Sequence, residues 1–198
     1  MEYEKKLKEL IQRQNGIILT KDVTEAGIPR QYLTILTQKE ELERVAQGVY
    51  MTPETYLDEM YCIQLRSEKV IFSNETALYL HDLTDRDPLV YTVTVPRGYA
   101  TNRLRKSEIS VYTVKIESYN IGITTAHTIY GREVKVYDAE RTICDIIKNK
   151  NKMDKDMFYM ALKRYSSRRN RNMKQLLLYA KQLGMEKLVV QYMEGFLT

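Results

Sequence analysis

This chain has little with which to hold a metal or cross-link itself: two cysteines and two histidines in 198 residues. Cys62 and Cys144 lie far apart in apolar surroundings, Cys62 beside Ile63 and Cys144 between Ile143 and Ile146. Both are expected to be buried thiols acting as small apolar residues. Only His81 and His127 could join them, and no close ligand pair exists, so neither zinc nor any other cofactor is expected. The sequence also lacks a run of about 18 apolar residues, so no membrane span is expected. Its amino terminus, Met1-Glu2-Tyr3-Glu4-Lys5-Lys6, is charged from the second residue and has no apolar signal core, which points to the cytoplasm. A disulfide is not expected in that compartment. No internal repeat or low-complexity tract is found.

What is present is an ordinary globular composition, with 43% hydrophobic residues and a net charge of +5. One or two domains are expected at this length. The charge is unevenly placed. Residues 1–54 hold eight Lys/Arg against nine Asp/Glu, and residues 55–198 hold 23 against 17.

The most informative stretch is the acid-balanced part, Thr20 to Tyr50. A short helix is expected after Thr20, whose hydroxyl can cap the first turn, and Gly27 stops it. Pro29 suits the first position of a second helix. There Leu33 and Leu36 form an inward face, with Arg30, Gln31, Thr34, Thr37 and Gln38 outward. Leu42–Val45 and Gly48–Tyr50 flank a turn and read as a hairpin, completing a winged helix-turn-helix. A second helix of this kind enters the major groove, where Arg grips guanine and Gln grips adenine through paired hydrogen bonds. Lys21 would add a contact at the preceding helix start. Tyr32 and Lys39 could reach the backbone, and Arg44 would serve the wing. The bland alternative is a winged helix kept for protein contacts.

Around this unit, Glu2–Gln14 reads as a first helix and Ile17–Leu19 as a short strand. A domain boundary is placed after Glu54, giving a DNA-binding domain over 1–54 and a second domain over 55–198. That domain opens with a helix over Thr55–Ser67, a brief strand at Val70–Phe72 and a helix after Ser73. Strand-like runs follow at Leu89–Val95, Ile109–Ile116, Ile121–Ile129 and Arg132–Tyr137. They predict a sheet over about 89–137, largely antiparallel because the links are short. Helices over about 138–197 close the chain, so the fold class is α+β with a helical carboxyl-terminal end.

Two basic stretches stand out in the second domain. The loop from Arg97 to Lys106 holds Arg97, Arg103, Arg105 and Lys106. From Lys148 to Lys174 there are ten Lys/Arg and two Asp/Glu, densest where Lys163, Arg164, Arg168, Arg169, Arg171 and Lys174 interleave with Tyr165, Asn170 and Asn172. Such cations either touch phosphate, releasing counterions, or are simply solvated. Two Asp-x-Asp spacings, Asp85-Arg86-Asp87 and Asp154-Lys155-Asp156, would be the raw material for metal-dependent phosphoryl transfer. The first reads as turn chemistry and the second as helix capping, so an enzyme is not expected. Asp138 caps a later helix, and Arg141 and Asp145, four apart on one face, are close enough to pair.

With Gly27-Ile28-Pro29-Arg30, the wing Arg44 to Tyr50 and the Glu140-Arg141-Thr142-x-x-Asp145 helix in view, the chain resembles the AbiEi antitoxins of bacterial abortive-infection toxin–antitoxin systems over nearly its whole length. That resemblance implies an autorepressor whose winged helix binds inverted repeats in its own promoter. It implies a second domain that assists DNA binding and counters a nucleotidyltransferase toxin without a stable complex. It leaves Asp138, Glu140, Arg141 and Asp145 as either an antitoxicity surface or a structural helix. Two other functions remain in view: a transcription regulator whose second domain senses a small molecule, and a nucleic-acid-acting enzyme with a DNA-binding head.

Overall fold

The computed structural model describes residues 2–197. The side chain of Arg103, one of the expected phosphate contacts, lies outside the described residues. The chain forms two compact units, Met1–Arg66 and Ser67–Thr198.

In the first unit the elements are α1 (Glu2–Arg13), β1 (Ile17–Leu19), α2 (Thr20–Glu25), α3 (Gln31–Gln38), β2 (Glu43–Ala46), β3 (Val49–Met51) and α4 (Glu59–Arg66). The three strands pair antiparallel in the order β1-β3-β2. All three residues of β1 are buried because both faces of this sheet are covered. Ile18 joins Leu7, Ile11, Val23, Ile28, Leu33, Leu36 and Leu42 under α1, α2 and α3. Ile17 and Leu19, pointing the other way, pack with Val49, Met51 and Cys62. The second cluster explains why the unit ends later than the boundary expected after Glu54. Cys62, Tyr61 and Leu65 of α4 close the far face of the sheet, so α4 belongs to the first unit. That helix is also shorter than expected, starting at Glu59 and leaving Tyr56 and Leu57 exposed.

The second unit holds β4 (Ile71–Phe72), α5 (Asn74–Leu80), β5 (Thr92–Pro96), α6 (Asn102–Lys106), β6 (Ser110–Val114), α7 (Ile116–Tyr119), β7 (Ile123–His127), β8 (Glu133–Tyr137), α8 (Ala139–Asn149), α9 (Lys155–Ser167), α10 (Met173–Gln182) and α11 (Glu186–Leu197). Its sheet runs β6-β5-β4-β8-β7. The two-residue β4 is therefore its central strand. Across both sheets four of the six pairings are antiparallel. Within the five-stranded sheet β4–β8 and β5–β6 are parallel. The second departs from a meander for a local reason. The basic segment expected to be a loop contains α6, which buries Leu104 and acts as the crossover that a parallel β5–β6 pair requires.

The helical end is one core. Ile143, Cys144, Ile146 and Ile147 of α8 meet Phe158, Ala161, Leu162 and Tyr165 of α9, Leu176 and Ala180 of α10, and Val189 and Met193 of α11. Caps set the starts of three of these helices: Asp138 accepts from the Arg141 amide at 2.7 Å, Asp154 from Met157 at 2.9 Å and Asn172 from Gln175 at 3.0 Å. Burial pushes the Cys144 thiol up to about 12, so it stays protonated and inert.

Candidate nucleic-acid interface

The connection between α2 and α3 orients everything that follows. Gly27 sits at φ +69°, in the left-handed region that glycine enters without a Cβ penalty, and the Ile28 amide reaches back to the Val23 carbonyl at 3.0 Å. Ile28 drops into the core, Pro29 turns the chain, and the first turn of the next helix is tightened by bonds from Tyr32 to Pro29 and from Leu33 to Arg30. Regular helix therefore begins at Gln31, two residues after the expected proline start. Thr20 does not cap α2. The residue at the cap position is Leu19, whose amide donates to Asp22 Oδ2 at 3.3 Å. The Thr20 amide instead donates to the Gly48 carbonyl at 2.9 Å, tying the start of α2 to the β2–β3 turn.

On α3, Leu33 and Leu36 are buried and Arg30, Gln31, Thr34 and Gln38 are exposed. The Arg30 Nε donates to Thr24 Oγ1 at 3.1 Å, which braces the side chain against α2 while leaving the guanidinium at the surface. Three other expected contacts are placed differently. Thr37 spends its hydroxyl on the Leu33 carbonyl at 2.8 Å, a local bond back along the same helix. Tyr32 is half-buried, its ring 5.7 Å from that of Tyr3. Lys39 is paired at 2.7 Å with Glu4 of α1. Lys21 and Arg44 are exposed, at the start of α2 and on β2.

The second unit consumes much of its positive charge internally. Arg141 is 1% exposed. Its Nε donates to Asp145 at 3.1 Å, its Nη1 donates to the Ile121 and Ser118 carbonyls, and its guanidinium lies 4.2 Å above the Tyr137 ring. Glu140 accepts from the Tyr165 hydroxyl and the Asn172 amide, each at 3.0 Å. Asp138 accepts from the Tyr179 hydroxyl as well as capping α8. Of the two roles open to these four residues, the structural one accounts for every contact of Arg141 and Asp145. Burial raises Asp145 above the usual carboxylate range, opposed by the neighbouring Arg141 charge.

The basic stretch divides in the same way. Arg164 forms a two-point ion pair with Asp85, Arg168 donates to the carbonyl of His81, and Arg171 donates to the Arg168 carbonyl at 2.9 Å. Tyr165 is fully buried and Asn172 is a helix cap, so neither interleaves with cations at the surface. Lys163, Arg169 and Lys174 remain exposed, as do Arg97, Arg105 and Lys106 around α6. Three of the four Asp-x-Asp carboxylates are likewise occupied. Asp85 holds Arg164, Asp87 takes the Tyr79 hydroxyl, and Asp154 caps α9 and pairs with Arg86 at 3.0 Å. Among the described residues no group of three His, Cys, Asp or Glu side chains could hold a metal ion. No described helix is long and apolar enough to cross a membrane.

Residues 5–53 match the model of a family described as transcriptional regulator, AbiEi antitoxin. The matched residues lie within the amino-terminal unit. The matched AbiEi segment runs from within α1 to just past β3 and contains the whole of α3. Among solved structures the chain is similar to the Rv2827c protein from Mycobacterium tuberculosis, with a TM-score of 0.52 at 12% identity. The match covers 98% of this chain and 81% of that one, so the likeness of fold extends through both units. No curated protein sequence matches the chain.

Proposed function

We propose that this protein is a cytoplasmic antitoxin and autorepressor without catalytic activity. Its first unit would be a winged helix-turn-helix that binds inverted repeats in the promoter of its own operon. Its second unit would counteract a partner nucleotidyltransferase toxin without a stable complex. The observation that carries the DNA-binding part is the two-sidedness of α3. Leu33 and Leu36 anchor it in the core while Arg30, Gln31, Thr34 and Gln38 stand outside, the side chains that can make paired contacts with base edges. The AbiEi match over residues 5–53 supports the antitoxin part.

A gel-shift with the DNA upstream of its own gene tests the first part. Arg30→Ala and Gln31→Ala should each relax the preference for that DNA over an unrelated duplex. Binding and preference unchanged by both substitutions would contradict it. Co-expression with the neighbouring toxin gene tests the second part. An antitoxin restores growth, whereas a ligand-sensing regulator represses transcription and leaves the cells poisoned.

A further inference from the structure

The two ends of α3 are electrostatically unlike. At its amino-terminal end Arg30 makes its hydrogen bond to a neutral hydroxyl, and among the described residues it meets no carboxylate within ion-pair distance. At its carboxyl-terminal end two lysines are paired with carboxylates. Lys39 lies 2.7 Å from Glu4, Lys8 lies 3.5 Å from the same carboxylate, and Lys8 also lies 2.6 Å from Glu41. Glu40 and Glu43 follow, both exposed. The hydrogen bond from Lys39, followed by the nearby charges of Lys39 and Lys8, holds the Glu4 carboxyl below its ordinary range, so it remains an anion at neutral pH.

We propose that Glu4 keeps Lys39 off the phosphate backbone, so that duplex DNA meets α3 through its amino-terminal half and Glu4 limits how tightly any duplex is held. The inference rests on the winged-helix reading above. A lysine that neutralises a phosphate releases a condensed counterion and contributes about 0.9 to the slope of log affinity against log salt. A lysine already neutralised by Glu4 has no charge to spare for that exchange, and the adjoining carboxylates of Glu40 and Glu41 repel the backbone. This arrangement also suits a unit whose overall charge is slightly negative. Binding then depends chiefly on Arg30, whose hydrogen bond is to a neutral hydroxyl, at the end of α3 that the winged-helix reading turns toward the bases.

The test titrates the full chain against its own upstream duplex and an unrelated duplex of equal length over a range of salt. Glu4→Gln should tighten both by about two- to fivefold, the range open to an exposed ion pair, and steepen the salt slope by about one. Lys39→Ala alone should stay within about twofold of the unsubstituted protein. Glu4→Gln combined with Lys39→Ala should cancel the gain. A Glu4→Gln protein with unaltered affinity and slope overturns the inference, as does a loss of about tenfold on Lys39→Ala alone. In either of those cases, binding that still weakens on Arg30→Ala leaves the winged-helix reading standing. A protein that holds neither duplex overturns both.

Discussion

Arg30 and Arg141 mark the opposite uses to which this chain puts one side chain. Arg30 is exposed, braced by a single bond to Thr24 on a unit whose overall charge is slightly negative. Arg141 is enclosed by Asp145, two backbone carbonyls and the Tyr137 ring in the unit that carries the positive balance. Net charge is thus a poor guide to where nucleic acid would be met. The basic unit ties up Arg141, Arg164, Arg168 and Arg171 in its own architecture, while the slightly negative unit leaves the Arg30 guanidinium at the surface proposed to meet DNA. What decides between the two uses is the opposing surface. The flank of α3 that carries Arg30 faces solvent, and α8 is covered all round from Arg141 to Ile147.

The widest separation between the two arginines is expected in stability. Arg141→Ala leaves Asp145 buried without its partner, which costs about 3–5 kcal/mol. Urea unfolding and hydrogen exchange over Ala139–Asn149 read that loss. Its pH dependence has a definite sign. Asp145 already titrates above its ordinary 3.8 because it is buried, and without Arg141 it is raised further. A carboxyl raised in the folded state contributes stability that is present below 3.8 and lost as pH rises through the folded value. The deficit of Arg141→Ala should therefore shrink as the medium is made acid. A deficit that is flat with pH would mean Asp145 is not what the arginine supports.

The backbone that receives Arg141 gives the next largest effect. Gly122 has φ +75°, and a Cβ there would lie 2.6 Å from the Arg141 Cβ. Gly122→Ala combines a strained left-handed residue with a clash against a side chain that cannot move, and about 2 kcal/mol or more should be lost. The same substitution at Gly27, also left-handed at φ +69° but with open space around its Cβ, should cost less. Thermal or urea unfolding of the two variants compares strain alone with strain plus crowding.

Much of this was readable from residue order, and the exceptions share a cause. The inward face of α3, the strand positions, the stripe of Ile143, Ile146 and Ile147, and the caps Asp138 and Asp154 are local patterns with a helix or strand period. The pairings that reassign charged residues are not local. Lys39 finds Glu4 35 positions away, Arg164 finds Asp85 79 away, and Arg168 finds the His81 carbonyl 87 away. No periodicity records such contacts. The same holds for β4, too short to announce itself as the middle of a sheet, and for α4, whose membership of the first unit depends on Cys62 packing against a sheet whose strands all lie earlier in the chain.

Neighbouring arginines in the basic stretch repeat the contrast on a smaller scale. Arg168→Ala removes a charge-assisted bond to the His81 carbonyl and should lower stability by about 1.5–3 kcal/mol, with any effect on DNA following from that. Arg169→Ala and Lys174→Ala should leave stability within about 0.5 kcal/mol, as surface substitutions do. If the second unit does touch the backbone, each of those two should lower the salt slope of DNA binding by about one. Unchanged slopes in both would assign the exposed part of this stretch to solvent.

The smallest expected difference lies within α3 itself, between two threonines one turn apart. Thr34 is exposed, while the Thr37 hydroxyl already donates to the Leu33 carbonyl. A hydroxyl that has given its proton to its own helix can still accept, but it has lost the donor that would search for a base or phosphate oxygen. Thr37→Val should therefore leave DNA affinity within about twofold, and it trades a bond of about 1 kcal/mol for removal of a contact that slightly disfavours the helix. Thr34→Val should weaken binding more if that face lies in the groove. Equal losses at both positions would mean that the bond to Leu33 breaks when DNA arrives, and that the DNA-facing surface of α3 runs one turn further along the helix than Thr34.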